Sequence, residues 1–189
     1  FMDGINGLAV SQAALVAAAF ALWLPAGISL LAWLVMLACL AFLPLNFPRA
    51  RIFLGDVGSG ALGLLMAALA LLALRQGPAV DPLLLLWPMT VFLVDAGFTL
   101  TGRILGGQRW TQAHTDHLYQ WYVKMGHSHQ RITCAYAMVT LAACGAAALL
   151  SVQPLWVSML VSFIVWSVCG LVWARMRSAL QRRAQLGRV

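Results

Sequence analysis

The chain has 189 residues, of which 62% are hydrophobic and only 9% are charged, and its mean hydropathy is +0.88. A soluble domain of this size does not need so much apolar surface to fill its core, so the composition excludes an ordinary soluble fold. The net charge of +7 comes without a nucleic-acid-binding pattern. We therefore expect that charge to set membrane topology and to contact anionic headgroups of the lipid bilayer, with no nucleic acid as a partner.

Six apolar stretches predict helices that cross a membrane, because about 20 apolar residues in a helix span about 30 Å of hydrocarbon. They run from Leu8 to Leu24, Ile28 to Leu43, Gly60 to Leu74, Leu83 to Thr101, Ile132 to Leu150, and Pro154 to Ala174. The predicted fold class is all-α. Residues 1–189 form a single membrane domain, a polytopic transmembrane helical bundle of about six spans.

The basic residues predict the orientation of this bundle. Eleven of the twelve fall in connections on one side or in the carboxy-terminal tail, while Arg75 alone falls on the other side. By the positive-inside rule, both termini are cytoplasmic. The rule also places in the cytoplasm two loops that we expect to form the active site, 44–59 and 102–131, and a basic tail, 175–189.

The first polar segment is Phe1-Met-Asp-Gly-Ile-Asn-Gly7, directly before the first span. Asp3 and Asn6 lie one helical turn apart or close together in a turn, and Gly4 and Gly7 permit close backbone approach. On these residues alone, a helix entry capped by Asp3 or Asn6 explains the pattern as well as a binding site does.

The second polar segment surrounds Asp56 with Gly55, Gly58 and Ser59 at the start of an apolar helix. Backbone amides at a helix start attract phosphate, and a carboxylate beside them can hold the Mg²⁺ that accompanies a diphosphate. The alternative is an ordinary capped helix at a membrane interface. The segment therefore predicts a phosphate and metal site, with Asp56 as the metal ligand.

Four further residues of this loop suit a nucleotide. Arg49 and Arg51 can form charge-assisted bonds to phosphate oxygens, Phe53 offers a flat surface for a base, and Asn46 offers an amide for the edge of that base. The alternative role for the arginines is simple anchoring at the headgroup level.

Two aspartates lie outside these loops. Asp81 precedes Pro82 in an outer connection, where we predict a turn residue. Asp95 lies inside the fourth span, where a structural hydrogen bond or ion pair and a role in the active site are both open.

The last polar segment runs from Arg103 to Gln120 and contains Arg109, His114 and His117. If it is helical, the two histidines share one face. Zinc is an alternative, but no third ligand is evident and the chain contains no glutamate, so imidazoles and Arg109 fit an anionic ligand better. His127 and His129 are expected on a solvated turn.

Four motifs occur in order along the chain: Phe1-Met-Asp-Gly-Ile-Asn-Gly7, Asn46 leading to Phe53-Leu-Gly-Asp-Val-Gly-Ser59, Val94-Asp-Ala-Gly-Phe-Thr-Leu100, and Ala113-His-Thr-Asp-His-Leu-Tyr-Gln120. Together they resemble the polyprenyl-phosphate N-acetylaminosugar-1-phosphate transferases of glycosyltransferase family 4. Within that family they are most similar to the enzymes that start O-antigen or related surface glycans in Gram-negative bacteria.

This resemblance implies transfer of a phospho-N-acetylsugar from a UDP-N-acetylsugar to undecaprenyl phosphate at the cytoplasmic face of the bacterial inner membrane. Mg²⁺, or Mn²⁺ in its place, is the implied cofactor. The sugar stays open among N-acetylglucosamine, N-acetylfucosamine and N-acetylquinovosamine. Direct attack, a covalent aspartyl intermediate and a homodimer stay open as well.

The resemblance also implies roles for single residues. Asp56 is the implied metal ligand and, with Asp3 and His117, a catalytic residue. The residues implied to bind substrate are Asn6, Asn46, Arg49, Phe53, Gly55, Ser59, Arg109 and His114. Of these, Asn46 and Phe53 are expected to hold uracil, and the histidine motif to bind the diphosphate.

The chain departs from the family pattern in two ways. The family uses a pair of adjacent aspartates on an earlier cytoplasmic loop, and no Asp-Asp occurs here. The first motif also opens the chain, without the helices that precede it in the family. We therefore expect the carboxy-terminal part of a longer enzyme, with little or no activity in isolation.

Two other functions account for some of the same residues. A proton-coupled transporter could use Asp95 and the histidines, but the polar residues cluster on one face of the membrane and do not trace a path across it. A metal-dependent membrane phosphohydrolase would use the same metal and phosphate site, with water as the acceptor. A non-catalytic assembly subunit is a third alternative.

Overall fold

The computed structural model describes residues 3–76, 81–109 and 115–186. These residues form helices joined by short connections: α1 (Leu8–Trp23), α2 (Ala26–Asn46), α3 (Gly55–Gln76), α4 (Pro82–Leu86), α5 (Thr90–Leu105), α6 (Leu118–Lys124), α7 (His129–Leu150) and α8 (Leu155–Leu186). A 3-10 turn, Trp87–Met89, joins α4 to α5. In hydrocarbon, every backbone N–H and C=O group must be hydrogen-bonded within the protein. Apolar stretches of about 20 residues meet this requirement as helices, so the sequence predicts an all-α bundle.

Five helical segments in the described parts of the chain are long and apolar enough to cross a membrane. They are α2, α3, the continuous stretch Pro82–Leu105, α7 and α8. Leucines on their outer faces are widely exposed, as expected for surfaces that contact lipid. The predicted multi-pass helical bundle is confirmed, and its orientation across the membrane stays a prediction.

The first predicted span is a different kind of helix. Helix α1 has 16 residues, shorter than the other five segments, and most of its side chains are buried. It is rich in alanine, so neighbouring helices approach it closely, and α2, α3 and α7 all pack against it. Leu24 and Pro25 end the helix in extended backbone. α1 is therefore the centre of the bundle, with less lipid-facing surface than a peripheral span.

The fourth span is broken near its start. Asp81 caps α4 by accepting a hydrogen bond of 2.9 Å from the Leu83 amide, which agrees with its predicted place in a turn. Pro88 then interrupts regular α-helix in the 3-10 turn. The Trp87 indole donates to the Ser162 hydroxyl at 3.0 Å, so this break is fixed against α8.

Candidate active site

The amino-terminal segment Asp3–Gly7 contacts the loop between α2 and α3. One Asp3 carboxylate oxygen accepts a hydrogen bond of 2.9 Å from the Gly55 amide, which precedes Asp56 in the chain. Gly55 has a φ of +69°, a conformation that favours glycine. Two residues 53 positions apart in sequence, Asp3 and Asp56, are therefore brought to the same end of α3.

The negative charge of Asp56 affects the pKa of Asp3. Burial raises the pKa of Asp3, the Gly55 hydrogen bond lowers it in part, and the negative charge of Asp56 raises it further. Asp56 itself is exposed in the first turn of α3, where the partial positive charge of the helix start favours an anion. Asp3 and Asp56 thus present oxygen ligands on one surface.

Asn46 does not have the role predicted for it. Its side chain is buried at the end of α2, where its oxygen accepts from the Gly7 amide at 2.8 Å and its nitrogen donates to the Ile52 carbonyl at 2.9 Å. Both ends of the amide are bonded to backbone, so Asn46 orders two loops and offers no free edge to a base. The identity of this residue in sequence does not reveal its burial.

Two other predicted substrate contacts are also used internally. Ser59 is fully buried, and its hydroxyl donates to the Asp56 carbonyl at 3.2 Å, so it faces the bundle and not a ligand. The Gly55 amide donates to Asp3 and is not directed to a phosphate. The backbone N–H groups in the first turn of an α-helix have no carbonyl partner within the helix, so those that follow Gly55 in α3 are the donors suited to an anion.

The remaining predicted residues of this loop are on the surface. Arg49 and Arg51 are exposed, and the Phe53 ring has 74% of its surface accessible. The loop carrying them is held by the Asn6 side-chain amide, which donates to the Pro48 carbonyl at 3.3 Å. A nucleotide can reach these three side chains, and their roles stay predictions.

The amino-terminal segment contacts a second part of the site through its other side. The Asn6 backbone amide donates to Nδ1 of His129 at 3.4 Å, and the Thr133 hydroxyl donates to the Asn6 backbone carbonyl at 3.0 Å. The prediction of a solvated turn for His129 is therefore wrong, because its ring packs against this segment, while His127 is exposed as predicted. Asn6 thus joins the α2–α3 loop to α7.

Gly4 is in contact with α6. A Cβ on Gly4 would lie 2.5 Å from the Tyr119 hydroxyl and 3.1 Å from Nε2 of Gln120, so only glycine fits there without displacement. Tyr119 is buried, and burial together with the negative charges of Asp95 and Asp3 raises its pKa, while a hydrogen bond with the Gly4 backbone acts in the opposite direction. Tyr119 is therefore a neutral phenol wedged between two polar motifs.

His117 lies at the start of α6, next to this contact. Its ring stacks on the Tyr119 ring with 5.7 Å between centroids, and its backbone amide donates to Oε1 of Gln120 at 3.1 Å. Helix α6 begins at Leu118, and His117 is its N-cap in extended backbone, so His117 itself is not within a helix. His114 lies outside the described residues.

The position of Arg109 is fixed by Arg103, a buried arginine that the sequence analysis used only to predict membrane orientation. Arg103 forms an ion pair with Asp116, and its guanidinium also donates to the Arg109 carbonyl at 3.1 Å. The signal that was present is an arginine at the end of an apolar helix with an aspartate thirteen residues later. The Arg109 side chain is exposed on this loop.

Asp95 accepts hydrogen bonds from three donors. Its carboxylate accepts from the Leu118 amide at 2.8 Å, the Trp173 indole at 3.0 Å and the Tyr136 hydroxyl at 3.2 Å, and the residue is 2% exposed. These bonds join α5 to α6, α7 and α8. Of the two roles left open by the sequence, the structure favours the structural one, which fixes the start of α6 and therefore His117.

The donor set at Asp3 and Asp56 fits magnesium better than a soft or tetrahedral metal. The described residues contain no group of three or more His, Cys, Asp or Glu side chains that would enclose a metal. Mg²⁺ usually needs only one or two protein carboxylates, because substrate phosphates and water complete its shell. Asp3 and Asp56 supply such a pair.

Comparisons with known proteins identify sequences that are similar to this chain. A family model described as glycosyl transferase family 4 matches residues 1–74, which include Asp3, Asn46 and Asp56. The chain is 32% identical to a decaprenyl-phosphate N-acetylglucosaminephosphotransferase of Mycobacterium tuberculosis, over 82% of the chain and 44% of that protein. It is also 32% identical to the protein of the same name from Mycobacterium leprae, over 82% of the chain and 45% of that protein.

A further relative has a different name. The chain is 40% identical to a phospho-N-acetylmuramoyl-pentapeptide-transferase of Heliobacterium modesticaldum, over 53% of the chain and 33% of that protein. The chain thus spans less than half the length of these relatives. No solved structure gives a significant match.

Proposed function

We propose a reaction for this chain from one premise, that it belongs to glycosyl transferase family 4, the polyprenyl-phosphate N-acetylaminosugar-1-phosphate transferases. The reaction is transfer of a phospho-N-acetylsugar from a UDP-N-acetylsugar to undecaprenyl phosphate, and it starts a lipid-linked surface glycan of the O-antigen kind. The observation that carries the proposal is the Asp3–Gly55 hydrogen bond, because it brings Asp3 to the residue that precedes the exposed Asp56.

The bonds made and broken follow from the two substrates. An oxygen of the lipid phosphate attacks the phosphorus that carries the sugar, forming a new P–O–P linkage, and the bond from that phosphorus to the bridging oxygen breaks. UMP leaves with the bridging oxygen. Both reactants are anions, so catalysis depends on positioning and on offsetting charge more than on covalent chemistry by the protein.

Asp3 and Asp56 would hold the divalent cation. Bound there, Mg²⁺ would supply the positive charge that offsets repulsion between the donor diphosphate and the acceptor phosphate. Amides of the first turn of α3 and the exposed Arg49 would bind phosphate oxygens, and the Phe53 ring would stack on uracil. His117, fixed at the start of α6, would donate to the diphosphate from the other side of the site.

A membrane setting suits these two substrates. The soluble nucleotide reaches the exposed loop between α2 and α3 from water, while the acceptor phosphate arrives at the headgroup level on its lipid. The concentration of basic residues on the predicted cytoplasmic side indicates that both meet at the inner leaflet of the bacterial cytoplasmic membrane.

The test uses the full-length protein that contains this chain, purified and incubated with Mg²⁺, UDP-N-acetylglucosamine labelled in the sugar, and undecaprenyl phosphate. Lipid-extractable label that appears only with the lipid acceptor supports transfer. Water-soluble sugar phosphate formed without acceptor would instead establish a phosphohydrolase. Uptake of intact nucleotide sugar by proteoliposomes, without either product, would establish a transporter.

The sugar is tested in the same assay with each donor labelled in turn. UDP-N-acetylglucosamine, UDP-N-acetylfucosamine and UDP-N-acetylquinovosamine are compared at equal concentrations. The donor that gives the highest initial rate of lipid-linked label is the preferred one. No lipid-linked label from any of the three would exclude all of these donors.

A further inference from the structure

An apolar groove of about 480 Å³ lies between α5, α6, α7 and α8. Its surface is almost entirely carbon, contributed by side chains such as Ala135, Val139, Val168 and Val172. His127 and Arg131, just before and in the first turn of α7, also line it. The groove therefore has one basic end, at the part of the bundle that carries the polar loops.

The basic end of the groove is on a different face of α7 from the residues that contact the amino-terminal segment, although Ile132 lines the groove and also packs with Ile5 and Leu8. His129 and Thr133 face the amino-terminal segment through their hydrogen bonds to Asn6, whereas Arg131 and Ala135 line the groove. Residues two apart in a helix are rotated by roughly 200°, so these two pairs lie on nearly opposite faces. A phosphate at Arg131 would therefore be separated from the two carboxylates by α7.

The dimensions of the groove match one leaflet of a bilayer. From Arg131 to Val139, α7 rises about 12 Å, close to the roughly 15 Å of hydrocarbon in half a membrane. Both Arg131 and Val139 are exposed beside it, so a chain can enter laterally from lipid. The groove is thus long enough to hold a substantial part of one hydrocarbon tail.

The charges at the groove favour an anion. Arg131 is exposed, and the His127 ring is placed at the same end by an edge-to-face contact with the Tyr122 ring, with 5.4 Å between centroids. Asp95 also lines the groove, but it is almost completely buried and its oxygens accept from Leu118, Trp173 and Tyr136. Its charge is therefore held by these three donors.

We propose that this groove is a binding site for an anionic phospholipid of the surrounding bilayer. The lipid phosphate contacts Arg131 and His127, and one acyl chain lies along α7 against α8. This site is distinct from the one proposed for the acceptor lipid, because its phosphate faces away from Asp3 and Asp56. A bound lipid fills the apolar space around the Asp95 hydrogen bonds and so supports the position of α6.

The test is native mass spectrometry of the purified, delipidated full-length protein titrated with palmitoyl-oleoyl phosphatidylglycerol. Phosphatidylcholine with the same chains, a zwitterionic lipid without net charge, is the comparison. We expect one phosphatidylglycerol to bind more tightly than phosphatidylcholine. Arg131→Gln should weaken its binding by about fivefold to tenfold, the effect of one interfacial cation on a lipid phosphate. Ala135→Trp should fill the groove and remove that binding event.

Two matched variants control for general changes. Arg175→Gln removes an exposed arginine from α8, and Met138→Trp adds the same bulk at an exposed position of α7 that does not line the groove. Both should bind phosphatidylglycerol as the unmodified protein does, and thermal unfolding checks that all four variants are folded. Equal losses in Arg131→Gln and Arg175→Gln, or unchanged binding in Ala135→Trp, would overturn the proposal.

A competition arm separates the two lipid sources. Undecaprenyl phosphate added at the same concentration should bind in addition to phosphatidylglycerol, because the two sites are different. If it displaces phosphatidylglycerol one for one, and Ala135→Trp blocks both, the groove belongs to the acceptor and the proposal is wrong.

Discussion

Asp56 and Asp95 are chemically identical side chains in contrasting surroundings. Asp56 is exposed at the start of α3, beside the Asp3 carboxylate, in a loop with accessible arginines and a bare aromatic ring. Asp95 is buried, and three donors from three other elements surround it. The first carboxylate has oxygens left for a ligand, whereas the second has its hydrogen-bonding capacity used by the fold. The two aspartates have the same side chain and both lie in motifs. They differ in how many protein donors bind the carboxylate, and this number separates a ligand site from a structural hydrogen-bond cluster.

The strongest test replaces each aspartate by asparagine, a change that keeps the shape of the side chain. The larger loss of transfer activity is expected at Asp56. Asp56→Asn in the full-length protein should reduce transfer by about 10³-fold or more, because loss of a metal-held carboxylate costs several kcal/mol at the transition state. Folding should be unaffected, since Asp56 is exposed. The assay is labelled sugar phosphate transferred to undecaprenyl phosphate.

Asp81→Asn is the matched control for this variant, because it makes the same change in a turn residue that caps α4, and asparagine caps equally well. It should retain full activity. Ordinary turnover in Asp56→Asn would contradict the proposed metal site.

The second test concerns the stability of the Asp95 cluster. Asp95→Ala leaves buried donors on Leu118, Trp173 and Tyr136 without their acceptor, which should cost about 2–4 kcal/mol of folding free energy. Asp95→Asn keeps an acceptor for two of these donors and an amide that can donate to the Tyr136 hydroxyl, so it should cost about 1 kcal/mol or less. The thermal unfolding midpoint in detergent measures both.

Activity separates a structural Asp95 from a chemical one. Asp95→Asn should keep transfer within about fivefold of the unmodified protein, which corresponds to a change of about 1 kcal/mol in the activation barrier. A loss comparable with that of Asp56→Asn, in a variant that unfolds normally, would show that the Asp95 charge takes part in the reaction.

A third test addresses the contact that joins the two regions. Gly4→Ala places a methyl group 2.5 Å from the Tyr119 hydroxyl, so either the amino-terminal segment or α6 must move, at a cost of about 1–3 kcal/mol. Gly27→Ala is the control, because nothing lies within 4 Å of its Cβ position in α2. Midpoints of thermal unfolding compare the two, and an unchanged midpoint in Gly4→Ala would show that this contact is loose.

The smallest expected effect comes from a single hydrogen bond on the α7 side. Thr133→Val removes the donor to the Asn6 carbonyl with little change of shape, so it should cost about 1 kcal/mol or less. A modest fall in the unfolding midpoint with nearly unchanged transfer is the expected result. A large loss of activity would show that Thr133 takes part in the reaction and does not act only as a structural hydrogen-bond donor.

Much of the fold was accessible to sequence reasoning because hydrocarbon imposes a simple rule on it. Six long apolar stretches were predicted as spans, and five of them correspond to helical segments long and apolar enough to cross a membrane. The last of these, α8, continues to Leu186, twelve residues beyond the predicted end at Ala174. The alanine-rich first stretch gave the same hydropathy signal, yet α1 is a short central helix. Hydropathy reports the affinity of a segment for an apolar medium, and protein interior and lipid are both apolar.

The site was predictable only in outline. The motif around Asp56 pointed to the α2–α3 loop, and the chain order of motifs indicated that Asp3 would join it. Asn46 could not be placed, because its burial depends on the Gly7 amide, 39 residues away. Tyr119 and Arg103 were missed for the same reason, since their contacts with Gly4 and Asp116 form only when non-helical segments fold against the helices.

The central position of α1 sets where this polypeptide can be divided. The family match ends at residue 74, yet Gln12 in α1 is buried and accepts from the Thr140 hydroxyl, and Leu8 packs with Ile132. A protein truncated after α3 would therefore leave a polar amide and apolar side chains facing lipid where α7 should be. Sequence homology and folding autonomy have different boundaries here, and domain swaps between relatives should exchange α1 together with α7.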